Sequence, residues 1–177
     1  MFVIAYCLYF LFNIYTSFMQ VNFVQKAKNL KPIILEESKY IVAANYSIEK
    51  EKMAILSTFY DFLIFMMWIS IGLSSLDSII TTESFWLKAI LFVNLFIILN
   101  WFLTLPFELY STFKLDKKYG FSNMTPALYI KDTIKSAALF LVLGSVVIAG
   151  IAFIIESFPA WWIWGFVFIF AIIILIN

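Results

Sequence analysis

The chain has 177 residues, of which 64% are hydrophobic and 20% aromatic, while only 13% are charged. So few charges cannot cover a soluble domain of this size, and the mean hydropathy of +0.98 also indicates an integral membrane protein in contact with the lipid bilayer. The net charge is +1, and all 12 basic residues are lysine, which excludes the strongly basic surface that nucleic-acid binding requires.

Five apolar stretches, each close to the roughly 20 residues that cross a bilayer as a helix, predict five transmembrane spans. The predicted spans are 1–19, 54–76, 85–105, 135–155 and 161–176. We expect the third to end at Pro106, because proline cannot donate the helical hydrogen bond. No repeat or flexible linker divides the sequence. Residues 1–177 are therefore predicted to form a single transmembrane domain, an all-α polytopic helix bundle.

The lysines alternate between the connections that join these spans. Six lie in the first connection and four in the third, with Lys135 at its edge, whereas Asp77, Glu83 and Glu156 lie in the second and fourth. Because lysine-rich connections stay on the cytosolic side, the first and third are predicted to be cytosolic. The N-terminus is then outside and the C-terminus is in the cytosol.

Two polar residues within the spans are candidates for function. Asp61 lies in span two. A carboxylate there can have a functional role, lining a water-filled cavity or relaying protons, and the alternative is that it packs helices together near the membrane interface. Asn100 and Thr104 share one face of span three and are expected to hydrogen-bond to another helix, with ligand binding as the alternative. Span four carries small residues at helical spacing, which predict close helix packing: Ser145, Ala149 and Ala152.

The third connection has the signals of an ordered helical segment. Lys117 and Lys118 would lie at the negative end of its helix, and Gly120 is the predicted C-terminal cap. Thr125 followed by Pro126 predicts the N-cap and first residue of the next helix. The fold class therefore includes a helical cytosolic loop between spans three and four.

This connection resembles the N-terminal membrane region of the CAAX prenyl protease type I family, whose members are integral-membrane zinc metallopeptidases. The resemblance rests on Leu105-Pro106-Phe107-x-Leu109-Tyr110-Ser111-Thr112-Phe113, Tyr119-Gly120-Phe121, Thr125 and Lys131-Asp132-x-Ile134-Lys135. In the first connection, a second family stretch is matched by Ala44-x-Tyr46-x-x-x-Lys50. The motif residues are therefore candidates for lining a membrane chamber: Pro106, Phe107, Tyr110, Phe113, Gly120, Phe121, Asp132 and Lys135.

The resemblance implies a zinc peptidase that acts near prenylated or otherwise membrane-associated C-terminal segments of peptides or proteins. The family places its HExxH motif and a further glutamate ligand beyond the fifth span. Such a site needs two histidines, and this chain has none, so no catalytic, metal-binding or cofactor-binding residue is predicted within it. We expect a fragment whose catalytic segment is supplied downstream, in cis or in trans.

Three functions stay open at this point. The first is the membrane portion of such a peptidase, inactive alone. The second is a non-enzymatic membrane scaffold or adaptor that uses the cytosolic loop 106–135. The third is a small transporter with Asp61 as its ionisable group, and it is the weakest because no paired charges occur in the other spans.

Overall fold

A computed structural model describes residues 1–34 and 36–176 of the chain, and every regular element among them is helical. The helices are α1 (Phe2–Ala27), α2 (Glu37–Met67), α3 (Leu73–Ile79), α4 (Phe85–Tyr110), α5 (Asp116–Lys118), α6 (Pro126–Ser157) and α7 (Trp161–Ile176). Two π-helical turns join α2 to α3 and α4 to α5, at Trp68–Gly72 and Ser111–Leu115 respectively. The predicted all-α class is confirmed.

Four helical stretches are long and apolar enough to cross a membrane: Phe2–Ala27, Glu37–Ile79, Phe85–Lys118 and Pro126–Ser157. A shorter apolar helix, Trp161–Leu175, occupies the position of the fifth predicted span. The second stretch has 43 residues, a path of about 65 Å at 1.5 Å per residue. Because the hydrocarbon layer is about 30 Å thick, part of this stretch extends beyond the lipid.

Helix α4 continues through Pro106 and ends at Tyr110. The expected helix end at Pro106 is therefore wrong, while the bounds of the span itself stay a prediction. Proline cannot donate to the carbonyl four residues earlier and its ring crowds that carbonyl, yet α4 accommodates both costs at Pro106 without ending there. Beyond the π-helical turn the helix runs on to Lys118. The third connection thus begins as a continuation of α4 rather than as a separate helix.

The two predicted caps in the third connection are confirmed. Gly120 has a φ of +76°, and the N–H of Phe121 donates to the carbonyl of Asp116 at 2.8 Å, which is the Schellman arrangement at a helix C-terminus. The Thr125 hydroxyl accepts a hydrogen bond from the N–H of Leu128 at 3.2 Å, at the start of α6.

The chain forms two compact units: Met1–Ser70 with Phe102–Met124, and Ile71–Trp101 with Thr125–Asn177. In the first unit, α1 packs against α2 through aromatic rings, and the ring centroids of Tyr6 and Phe65 are 3.7 Å apart. The Tyr40 hydroxyl donates to the carbonyl of Ala27 at 2.8 Å, which satisfies a terminal carbonyl of α1.

In the second unit, α6 packs against α7 at Gly150, and two other small residues of α6 lie in contact or buried positions. A Cβ atom added at Gly150 would lie 2.4 Å from the Phe168 ring, so any larger residue here would force that ring to move. Ala152 is buried with 3% of its surface exposed, and Ser145 accepts a hydrogen bond from Asn94 of α4. The close packing predicted for this face of α6 is therefore observed at Ser145 and Ala152.

Candidate functional site

In the first unit, residues 116–121 of the third connection pack against α2 around the side chain of Tyr46. Its hydroxyl donates to Oδ1 of Asp116 at 2.9 Å, and its ring lies 5.3 Å and 4.5 Å from those of Tyr119 and Phe121. One turn further along α2, Oε1 of Glu49 forms an ion pair with Nζ of Lys118 at a distance of 2.5 Å. We call these residues the Tyr46 cluster: Tyr46, Glu49, Asp116, Lys118, Tyr119 and Phe121.

Local structure explains why these side chains meet. Tyr46 and Glu49 are three residues apart, so they share a face of α2. On the opposite side, the π-helical turn carries Leu115, which is buried with only 4% of its surface exposed. The left-handed residue Gly120 then reverses the chain and returns Phe121 to the Tyr46 ring.

The Tyr46 cluster lies outside the predicted spans, and the pKa values of four of its groups are shifted away from neutrality. The hydrogen bond to Asp116 raises the pKa of Tyr46, and burial raises the pKa of Tyr119. The hydrogen bond from Lys118 lowers the pKa of Glu49, which in turn raises the pKa of Lys118. None of these four shifts moves a pKa toward 7, so the cluster is suited to hold two segments together rather than to transfer protons.

The remaining motif candidates of the first unit lie along α4 and the π-helical turn. The Phe107 ring is 4.9 Å from that of Tyr60 on α2. Phe113 is half-buried, while Pro106 and Tyr110 are exposed. Of the predicted candidates, Phe121 belongs to the Tyr46 cluster, and Gly120 forms the turn that places it there.

Asp61 is exposed on α2. The hydroxyls of Ser57 and Thr58 donate to the carbonyl of Ala54 in their own helix, at 3.0 Å and 2.8 Å. Their hydrogen bonds thus stay within one helix turn and do not extend toward Asp61. A role for Asp61 in a cavity or proton path stays a prediction.

Three further candidates belong to the second unit. Asp132 and Lys135 are exposed on α6, and neither forms an ion pair with any residue within 1–34 or 36–176. Asn100 is half-buried on α4. Their predicted roles, chamber lining for the first two and interhelical bonding for the third, stay predictions.

Sequence reasoning missed Asn94, which is the buried polar residue of α4. Its Nδ2 donates to the carbonyl of Ile90 at 2.8 Å and to Oγ of Ser145 at 3.1 Å. A signal was present, since a lone amide within an apolar span usually bonds to another helix. For Tyr46 and Asp116 no local signal existed, because the two partners lie 70 residues apart.

The residues of this chain do not fit the catalytic zinc that the resemblance implies. The chain has no histidine, and no group of three or more Cys, Asp or Glu side chains converges anywhere in the described ranges. In the Tyr46 cluster, the two carboxylates already bind Lys118 and the Tyr46 hydroxyl. A tetrahedral site with three protein ligands therefore cannot be drawn from these side chains.

Comparison with known proteins relates most of the sequence to one family. Residues 20–177 match the family described as CAAX prenyl protease N-terminal, five membrane helices. The matched part includes α2 to α7 and both halves of the Tyr46 cluster.

Individual relatives extend over nearly the whole chain. The CAAX prenyl protease 1 homolog of Oryza sativa subsp. japonica is 25% identical over 183 residues, which cover 95% of this chain and 43% of that protein. CAAX prenyl protease 1 of Saccharomyces cerevisiae is 27% identical over 184 residues, covering 94% and 40%. The chain thus spans about two fifths of the length of these curated relatives.

A solved structure has the same fold. The crystal structure of S. mikatae Ste24p matches 98% of this chain and 43% of that chain, with a TM-score of 0.87 at 24% identity. The helical arrangement described above is therefore shared with that protein.

Proposed function

Because the chain belongs to the family of CAAX prenyl protease N-terminal regions with five membrane helices, we propose that it forms the membrane wall of a zinc peptidase chamber. The chain has no histidine, and the residues that the structure describes offer no zinc site. The metal and its ligands, in this proposal, belong to a segment outside this chain, which joins it in cis or in trans. The chain alone is then inactive as a peptidase.

The Tyr46 cluster is the observation that carries this proposal. The Tyr46 stretch and the Gly-Phe stretch each resemble the family, and the Tyr46 and Phe121 rings are 4.5 Å apart. A chamber wall must keep its helices in fixed positions while substrate and catalytic segment move. A contact between two motif stretches, with no group tuned for proton transfer, suits that bracing role.

For the intact enzyme we propose substrates with membrane-associated C-terminal segments, prenylated ones among them. Support comes from the names of the relatives in Oryza sativa and Saccharomyces cerevisiae, both of which are CAAX prenyl proteases. A membrane-embedded wall also favours substrates that a lipid group has already concentrated at the bilayer.

Complementation tests the proposal directly. This chain is co-expressed with, or fused to, the part of the Saccharomyces cerevisiae relative that lies beyond the matched region. We expect cleavage of a prenylated C-terminal peptide by the combination, loss of that cleavage with a zinc chelator, and none by either part alone. A combination whose HExxH histidines are replaced by alanine is the matched control. Zinc-dependent cleavage by this chain alone would contradict the proposal.

The alternative function is a non-enzymatic membrane scaffold or adaptor. The exposed side chains of Tyr110 and Phe121 on the 106–135 loop favour it. A scaffold predicts partner binding that is lost in Tyr110→Ala and Phe121→Ala, with no cleavage in any combination. Cleavage by the reconstituted pair excludes a purely non-enzymatic role.

For the orientation, we propose that the N-terminus is outside and the C-terminus is cytosolic. The lysine-rich first and third connections support it. The test replaces the single cysteine by Cys7→Ser and adds either Asn29→Cys or Thr81→Cys, both at exposed positions. A membrane-impermeant maleimide added to intact cells should label the second variant and not the first. The reverse pattern would overturn the orientation.

A further inference from the structure

In the second unit, an ion pair stands beside an apolar groove on α4. Nζ of Lys88 lies 2.7 Å from Oδ1 of Asp77, which precedes the connection between α3 and α4. The groove is shallow and largely open, with a volume of about 330 Å³. Its lining consists of the two charged residues and four apolar ones: Asp77, Phe85, Lys88, Ala89, Phe92 and Val93.

The position of the groove along α4 matches the depth profile of a bilayer. Lys88 lies in the first turn of a membrane helix, where a lysine extends its ammonium toward the interface. The neighbouring Trp86 indole N–H donates to Glu156, and tryptophan is typical of the same interfacial level. Phe92 and Val93 lie about 6–8 Å deeper along the helix axis. The groove therefore has a charged opening at headgroup level and an apolar floor in the hydrocarbon layer.

We propose that this groove binds phosphatidylethanolamine. The Lys88 ammonium donates hydrogen bonds to the lipid phosphate, and the Asp77 carboxylate accepts hydrogen bonds from the primary ammonium of the headgroup. One acyl chain lies against Ala89, Phe92 and Val93. Both charged side chains are accessible to a headgroup, since 37% of the Lys88 side-chain surface and 56% of the Asp77 side-chain surface are exposed.

Charge complementarity selects this lipid over the other common ones. In this zwitterionic headgroup, the phosphate faces the Lys88 ammonium and the primary ammonium faces the Asp77 carboxylate. Each charged side chain therefore has a partner of opposite charge. Phosphatidylcholine also carries a phosphate, but its trimethylammonium has no N–H to donate to Asp77. Phosphatidylglycerol has no positive group, so its headgroup offers Asp77 no cationic donor and adds a negative charge beside it.

The charged half of the site is tested by native mass spectrometry on the purified, delipidated full chain. It is titrated with phosphatidylethanolamine, phosphatidylcholine and phosphatidylglycerol of identical acyl chains. We expect about tenfold tighter binding of phosphatidylethanolamine than of phosphatidylcholine, which is the effect of one charge-assisted hydrogen bond. Asp77→Asn should abolish this preference and Lys88→Gln should weaken binding of both lipids. Glu83→Gln and Lys131→Gln, exposed charges outside the groove, are the matched controls.

The apolar half is tested by Ala89→Phe, which fills the groove and keeps both charges. It should weaken binding of every lipid about tenfold, whereas Leu91→Phe, on the same helix outside the lining, should not. Helical circular dichroism checks that each variant is folded, and Ala89→Phe keeps the proposal testable if a charge variant unfolds. Equal affinity for phosphatidylethanolamine and phosphatidylcholine, tighter phosphatidylglycerol binding, or unchanged binding in folded groove variants would each overturn it. The assay measures lipid binding only, so it is independent of the proposed peptidase role.

Discussion

Tyr46 and Asp116 are joined by a 2.9 Å hydrogen bond, although 70 residues separate them in the chain. The bond links α2 to the segment that follows α4, and the rings of Tyr119 and Phe121 pack against the Tyr46 ring. Together with the Glu49–Lys118 ion pair, the bond holds this part of the third connection against α2. The stability of that connection should therefore depend on a few side chains of the Tyr46 cluster.

Tyr46→Phe removes the hydrogen bond and keeps the ring. The free energy of unfolding should fall by about 0.5–1 kcal/mol, because the bond is partly open to solvent. It is measured by SDS titration of the detergent-solubilised protein, followed by circular dichroism. Limited proteolysis should also cut the third connection faster in this variant. Tyr15→Phe, which alters an exposed ring on α1, is the control and should change neither quantity.

The Glu49–Lys118 pair should make stability depend on pH in a defined window. Lys118 lowers the pKa of Glu49, so the contribution of Glu49 is present above its unfolded pKa of about 4.3 and is lost as pH falls through the lower folded value. The pKa of Lys118 is raised, so its contribution is present below about 10.4 and is lost as pH rises through the higher folded value.

Glu49→Gln tests that window. Its stability difference from the wild type should be small and constant between about pH 5 and pH 10, and should shrink outside these limits. Added salt should reduce it, because both side chains are solvent-accessible. Glu51→Gln, two residues along α2, serves as the matched variant. A difference that is insensitive to both pH and salt would show that the ion pair is not its source.

The Asn94–Ser145 hydrogen bond should couple α4 to α6 in the second unit. A double-mutant cycle of Asn94→Ala and Ser145→Ala should give a coupling energy of about 0.6 kcal/mol, typical of hydrogen bonds between membrane helices. Unfolding in SDS provides the four free energies. Pairing Asn94→Ala with Ser136→Ala, an exposed position on α6, should give additive effects. Equal coupling in both cycles would contradict a specific bond.

Gly120 and Gly165 offer a matched comparison of backbone strain. A Cβ added at either position meets no atom within 4 Å, but only Gly120 has a positive φ, of +76°. Gly120→Ala should therefore lower the free energy of unfolding by about 1–2 kcal/mol through backbone strain alone. Gly165→Ala, within α7, should be neutral or stabilising. A Gly120→Asn variant should lose less than Gly120→Ala, since asparagine tolerates the left-handed region better.

Much of the fold was predictable, because membrane spans and helix caps leave local signals. Apolar stretches of about 20 residues indicated the spans, and Gly120 and Thr125 marked the ends of neighbouring helices. The lysine pattern supported an orientation for the same reason, since it depends only on which connection each residue occupies. The helix through Pro106 was not predicted, because the loss of one hydrogen bond can be tolerated where the turns on either side are intact.

Contacts between helices were not predictable in the same way. A helix in lipid is apolar on all sides, so hydrophobic periodicity does not reveal which face meets another helix. Asn94 shows this, since the sequence placed it in a span but did not identify Ser145 as its partner. The Tyr46 cluster shows it outside the spans, where two motif stretches were identified but their contact depends on tertiary structure.

The π-helical turn at Ser111–Leu115 has a consequence for comparing members of this family. Such a turn contains one residue more than the α-helical turn it replaces. A relative with an unbroken α-helix at this point would reach its own counterpart of Asp116 one residue earlier. An accurate alignment with such a relative should therefore open a one-residue gap between Tyr110 and Asp116. An alignment without that gap would pair Asp116 with the wrong position and conceal the partner of Tyr46.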